Sequence, residues 1–173
     1  MEKSATALAR LTAIAALIPP GSRVADVGAD GALLPRALLA SGRATFCLAI
    51  DSSPAAARAA RAATRGLGPR LVVREGDGFG ALEARDRIDV VVLAGLGART
   101  ILRILAHPRR AALGLHRLVL QPQTEPARVR RWLAENGFAV VDERRARERG
   151  RSYLVLAARP TDRSNGTSAA GQR

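Results

Sequence analysis

Val24-Ala25-Asp26-Val27-Gly28-Ala29-Asp30-Gly31 joins a short apolar run to a glycine-containing turn that carries two aspartates. A run this apolar suits a strand covered on both faces rather than one with a wet side. Gly28 lets the backbone approach a ligand closely, while Asp26 and Asp30 put negative charge where a phosphate-binding loop avoids it. The turn therefore favours a cationic ligand over a pyrophosphate. Upstream, Leu8, Leu11, Ala15 and Ile18 recur at helical spacing until Pro19-Pro20-Gly21 stops the segment, which predicts an opening amphipathic helix. Downstream, a helix is expected over 33–40 and a second apolar strand over 45–50, closed by Asp51. The order is strand, helix, strand, the unit of a parallel sheet.

The alternation continues along the chain. Ser53-Pro54 opens an alanine- and arginine-rich helix expected over 54–65, with serine suited to the N-cap and proline to the first turn. Strands follow at 71–73 and 88–94, the latter holding Val90-Val91-Val92-Leu93, a pattern for a sheet centre. A helix over 100–106, a strand over 118–121 and a helix over 126–136, stopped by Gly137, come next. Two last strands, 138–141 and 153–157, are joined by the charged stretch 142–151 and pair antiparallel. The expected fold class is α/β, a mostly parallel seven-stranded sheet with helices on both faces and a terminal antiparallel strand pair. With 173 residues, 47% of them apolar, the chain closes one core. Residues 1–159 are expected to form one domain and 160–173, polar and without periodicity, a disordered tail.

Composition narrows the partners. The formal charge is +13, from 28 Lys and Arg against 15 Asp and Glu, and clustered guanidinium groups bind phosphates. Arginine in place of lysine also follows from a GC-rich genome, but the excess of bases over acids does not. Aromatic content of 3% provides few rings for stacking single strands, so a basic face that tracks an RNA backbone is expected. The apolar run ending at Ile18 is too short for a membrane span. It leads directly into the glycine turn, so neither a signal peptide nor membrane association is expected. The lone cysteine, Cys47, reads as a buried thiol in a reducing cytoplasm. No zinc-ligand spacing and no metal are expected, and no motif specifies an oligomeric state.

In an open α/β sheet ligands gather beyond the carboxyl ends of the strands near the switch point. Asp26, Gly28 and Asp30 end the first strand, and their charge fits a sulfonium and an amino group better than a dinucleotide. Asp51, about 20 residues beyond the glycine turn, can accept from both ribose hydroxyls, with Ser52 beside it. Its other reading is an acid at the start of the helix at Pro54. Asp77, followed by Gly78, can accept from an adenine amine or be an ordinary turn aspartate. Gly95 and Gly97 leave room for a flat substrate, and Gln121 and Gln123 add amide edges at the same rim. Trp132 reads as core, beside Val129 and Leu133. No serine, cysteine or lysine has an activating neighbour, so covalent catalysis is unsupported.

Taken together, Leu8 to Pro20, Ala25-Asp26-Val27-Gly28-Ala29-Asp30 through Leu34-Pro35, Gly76-Asp77-Gly78, Ala94-Gly95-Leu96-Gly97, Leu120-Gln121-Pro122, Arg130-Arg131-Trp132-Leu133 with Asp142-Glu143, and Gly150-Arg151 with Tyr153 resemble the TrmK-type bacterial tRNA (adenine-22, N1) methyltransferases. The resemblance implies a Rossmann-like class I methyltransferase fold and S-adenosyl-L-methionine as cofactor, held by Asp26, Gly28, Asp30, Asp51 and Asp77 with Ser52, Gly78 and Gly95 beside them. It implies tRNA as partner and Gly97 at the edge of the methyl-transfer pocket. Gln121, Gln123, Arg130, Arg131 and Arg145 are the candidates for substrate contact, and Asp30 for stabilising charge on the methylated purine. The chain departs from the family at Gly31 (histidine), Ala98 (glycine) and Gln123 (asparagine), and the polar stretch after Ala158 is not expected to form the family's helical C-terminal domain. Two alternatives stay open here: a non-catalytic RNA-binding protein that keeps the fold, and a methyltransferase of small molecules.

Overall fold

The computed structural model describes residues 2–148 and 150–161. Seven strands form one sheet: β1 (Ser22–Val27), β2 (Ala44–Asp51), β3 (Leu71–Glu75), β4 (Val90–Leu96), β5 (Arg117–Pro122), β6 (Phe138–Glu148) and β7 (Arg151–Pro160). Their order is β3-β2-β1-β4-β5-β7-β6. The first five are parallel, and β7 enters antiparallel between β5 and β6. The expected fold class is the observed one.

Period-two alternation divides the core into two layers. Ala25, Val27, Leu48, Ile50, Val91 and Leu93 face one side, where α4 (Ala98–Leu105) supplies Ile101, Ile104 and Leu105 and α5 (Pro126–Glu135) supplies Val129 and Leu133. Val24, Cys47, Ala49, Val90 and Val92 face the other. There α1 (Glu2–Ala16) contributes Ile14, α2 (Leu33–Ala40) Leu34 and Leu38, and α3 (Pro54–Ala63) Ala60. Burial on both faces is why the central strands read as unbroken apolar runs. Cys47 is fully buried, and burial, with Asp26 nearby, pushes its thiol up to about 12. Trp132 packs at the edge of the first layer, its ring stacked 6.3 Å from that of Phe138.

Two boundaries are corrected. The charged stretch after 141 is not a loop: β6 runs on to Glu148 and pairs with β7 down to Glu148 opposite Arg151, past a bulge between Val140 and Asp142. β6 is the edge strand, so charged side chains point to solvent without breaking the ladder, and only Ala146 and Glu148 turn inward near the tip. At the other boundary Pro160 belongs to β7, while residues 162–173 of the expected tail lie outside the described residues, as does Arg149.

Candidate active site

Winding reverses between β1 and β4, which are neighbours in space but not in sequence. Above that point opens a cleft of about 560 Å³. Asp26, Gly28, Asp30, Asp51, Gly95 and Gln123 all line it. The spacing argument thus selected six residues that the fold brings to one cavity. Arg10, Leu11 and Ile14 of α1 and Leu33 and Leu34 of α2 close its sides, and among the described residues only Arg10 brings positive charge.

Asp26 is in the middle of the sheet, between Ala49 and Val92, and is 5% exposed. Burial, reinforced by the Asp51 carboxylate, raises its carboxyl to about 7. A buried acid without a cation is costly when ionised, so this position is built for a proton or a positive ligand. Gly28 follows at φ +80°, and its N–H and that of Ala29 donate to the Ile50 carbonyl at 2.8 and 3.1 Å. A side chain there would press on Leu96 at 3.3 Å.

Asp51 carries both of its expected readings. Its Oδ1 accepts from the Ser53 N–H at 2.9 Å, steadying the start of α3, where Ser53 is the N-cap and accepts from the Ala56 N–H. Its Oδ2 accepts from the Asp30 N–H at 3.3 Å, across the cleft mouth. Asp30, Gly31 and Ala32 all have positive φ, at +23°, +76° and +56°, a left-handed run that is strained for the two residues with a Cβ. Ser52 is exposed and does not line the cleft.

Four of the expected site residues lie away from the cleft wall. Asp77 is exposed and outside the cleft lining; Arg103 of α4 grips it with two bonds of 2.5 and 3.1 Å. The hydrogen bonds from Arg103 hold its carboxyl below the usual range. Gly78, buried beside it, packs against Ile104, not the cleft. Gln121 offers no amide edge at the rim: it is fully buried, accepts from the Gly95 N–H at 3.0 Å and donates to the Pro122 carbonyl at 3.1 Å. Gln121 therefore fixes the turn after β4, and the rim amide is that of Gln123, which is exposed and whose backbone N–H donates to the Leu96 carbonyl. Gly97 caps α4 and lies outside the lining.

Among the basic candidates, Arg130 is paired with Glu143, whereas Arg131 and Arg145 have no ion-pair partner among the described residues. Residue spacing did not reveal Arg10. Its Nε lies 3.7 Å from Oε2 of the buried Glu148, and its guanidinium stands 5.5 Å from the centre of the Tyr153 ring. The only sign was a charge interrupting the apolar stripe of the first helix. His107 accepts from the Arg109 N–H and caps a short 3-10 turn, and His116 is exposed; neither lines the cleft.

A parallel sheet of this order, ending in an antiparallel hairpin and carrying acids at the tips of β1 and β2, defines a Rossmann-like class I methyltransferase domain. The model of the methyltransferase domain family matches residues 7–156. The chain belongs to that family and is similar to its TrmK-type members. It is 33% identical to the tRNA (adenine(22)-N(1))-methyltransferase of Bacillus subtilis over 156 residues, 89% of this chain and 65% of that one. The crystal structure of the B. subtilis m1A22 tRNA methyltransferase TrmK superposes with a TM-score of 0.82 at 32% identity, covering 89% of this chain and 66% of that one. Streptococcus pneumoniae Sp1610, solved in complex with S-adenosyl-L-methionine, gives 0.84 at 30% identity, covering 91% and 74%. The chain spans just under two thirds of the length of the curated B. subtilis relative.

Proposed function

We propose that the protein is an S-adenosylmethionine-dependent methyltransferase that modifies N1 of adenine in tRNA. The observation that carries this reading is the switch-point cleft, walled by Asp26, Asp30 and Asp51 and reaching Gln123. Its acceptor-rich wall fits the cofactor. The buried Asp26 recovers its desolvation cost beside a cationic amino group or sulfonium. Each Asp51 oxygen already accepts one backbone N–H and keeps a lone pair for a ribose hydroxyl. When bound, S-adenosylmethionine supplies an electrophilic methyl group. The named activity of the B. subtilis relative and the cofactor in the Sp1610 complex support both assignments.

Adenine N1 carries a lone pair in its neutral form, so the protein must align it and exclude water rather than remove a proton. The absence of histidine from the cleft lining agrees with that requirement. Asp30, at the cleft mouth, stabilises the positive charge that develops on the methylated purine. Asp77 reaches the cofactor's adenine only by releasing Arg103. Arg131, Arg145, Arg147 and Arg151 supply the face that tracks the RNA backbone, and a tRNA substrate places the protein in the cytoplasm. The domain expected over 1–159, extended to the end of β7 at Pro160, acts as the catalytic domain. Among the described residues no helix is long and apolar enough to cross a membrane.

Incubating the purified protein with methyl-labelled S-adenosylmethionine and unmodified tRNA, followed by nucleoside analysis, tests the reading. Labelled 1-methyladenosine is the expected product. Retained tRNA binding without label in RNA would favour the non-catalytic alternative, and label confined to small molecules the other.

A further inference from the structure

The cofactor cleft is lopsided in charge. Asp26, Asp30 and Asp51 line it, and among the described residues Arg10 is the one cation of its lining. S-adenosylmethionine carries a carboxylate as well as an amino group. The acids repel that carboxylate, which leaves Arg10 as its counter-charge within the cleft. A guanidinium on a long, freely rotating stem binds weakly unless it is already held in place.

The β6–β7 hairpin holds it. In the ladder Ala146 stands opposite Tyr153 and Glu148 opposite Arg151, so Ala146, Glu148 and Tyr153 share one face. That face meets Arg10 of α1. An acid is out of place there: Glu148 is only 9% exposed, beside the buried Ala146, and its Oε2 accepts no hydrogen bond. Among the described residues the cation paired with it is Arg10, and Arg151 across the ladder makes no ion pair with it. The Tyr153 ring centre lies 5.5 Å from the same guanidinium, within cation–π range. A guanidinium engaged through Nε keeps both terminal nitrogens free, the fork that matches a carboxylate. The 3.7 Å separation between Nε and Oε2 closes to a charge-assisted hydrogen bond with a movement of about 0.8 Å.

On the methyl-transfer reading, on which this step rests, we propose that Glu148 is a positioning residue for the cofactor. From the hairpin tip it holds Arg10 by its Nε side, and the two terminal nitrogens of Arg10 take the carboxylate of S-adenosylmethionine. Glu148 touches no ligand itself, since it lies outside the cleft lining. The last strand pair of the sheet thereby sets cofactor affinity without supplying any of the residues that line the cofactor cleft.

Calorimetry isolates the carboxylate when S-adenosylhomocysteine is compared with its decarboxylated analogue, S-adenosyl-3-thiopropylamine, which keeps the amine, ribose and adenine. The wild type should bind S-adenosylhomocysteine about thirtyfold more tightly than the analogue. Glu148→Gln, which keeps the size and removes the charge, should reduce that advantage to about threefold and leave affinity for the analogue within about twofold. The retained analogue affinity also shows that the variant is folded. Arg10→Gln should remove the advantage, and adding Glu148→Gln to it should change nothing further. In steady-state transfer Glu148→Gln should raise KM for S-adenosylmethionine about tenfold and leave kcat and the KM for tRNA within about twofold. Equal losses for both ligands would make Glu148 a purely structural residue, and unchanged or tighter S-adenosylhomocysteine binding would make it idle or a competitor for Arg10. Each of these results, or a wild type that binds the two ligands alike, would overturn the inference and leave methyl transfer itself intact. Failure of the wild type to bind either ligand would defeat the underlying reading and this one with it.

Discussion

Replacing Asp26 by asparagine should stabilise the ligand-free protein, and by more at high pH than at low. The carboxyl titrates at 3.8 when solvated and at about 7 in the fold, because burial and the Asp51 charge both oppose ionisation. Between those values the folded chain keeps a proton that the unfolded chain has released, so stability falls as pH rises through this window and then levels off. At about 1.4 kcal/mol for each tenfold change, the full penalty above pH 7 is about 4 kcal/mol, and at pH 5 it is only about 1.5. Asparagine keeps the shape and has no proton to lose. Urea unfolding of wild type and Asp26→Asn at pH 5 and pH 8 should therefore differ in their stability gap by about 2.5 kcal/mol, with other groups largely cancelling. A gap that is the same at both pH values to within about 0.5 kcal/mol, or a variant less stable than wild type at pH 8, would refute the argument from a desolvated acid. The same substitution should weaken S-adenosylhomocysteine binding, so stability and ligand affinity move in opposite directions.

Asp51→Ala should reduce S-adenosylhomocysteine affinity by about 1.5–3 kcal/mol in calorimetry, through loss of a charged acceptor and of the bond that holds the Asp30 N–H; unchanged affinity would remove Asp51 from the site. Gln121→Leu leaves the Gly95 N–H without its acceptor and should cost about 1–3 kcal/mol in a urea melt. It should also lower transfer more than it lowers RNA affinity, since Gln121 does not reach the surface. Binding of tRNA should fall steeply with salt, and the log–log slope should become shallower by roughly one for each of Arg144, Arg145, Arg147 and Arg151 that contacts a phosphate and is replaced by glutamine. An isotherm insensitive to salt would take RNA off the partner list.

The parallel half of the fold was legible because burial on both faces writes itself as uninterrupted Val, Ile, Leu and Ala. β6 was shortened because an edge strand with solvent on its outer side admits charges at almost every position, and Glu143 to Arg147 then read as a loop. The acids Asp26 and Asp51 were legible from their places at strand ends, where topology alone directs them to the switch point. Asp77 and Gln121 were not. Each depends on a partner 26 residues away, Arg103 and Gly95 respectively, and whether a side chain at a strand end turns out to the rim or in beneath a neighbouring turn depends on that partner. Gln123 at the end of β5 and Tyr153 of the β6–β7 hairpin line a common cleft, a contact that arises only because β7 runs back antiparallel beside β5.

That reversal leaves β6 as the outermost strand, eleven residues long, with no strand on its outer side among the described residues. A free edge of this length invites another chain to add to it. The string of acids and bases from Asp142 to Arg147 makes such addition electrostatically awkward, so the hairpin arginines help keep copies of the protein apart as well as offering charge to a polyanion. Variants that remove them should be made with glutamine rather than an apolar residue and handled at low concentration. Their sedimentation should be checked before any loss of RNA binding is assigned to lost phosphate contacts, because self-association would occupy the same edge.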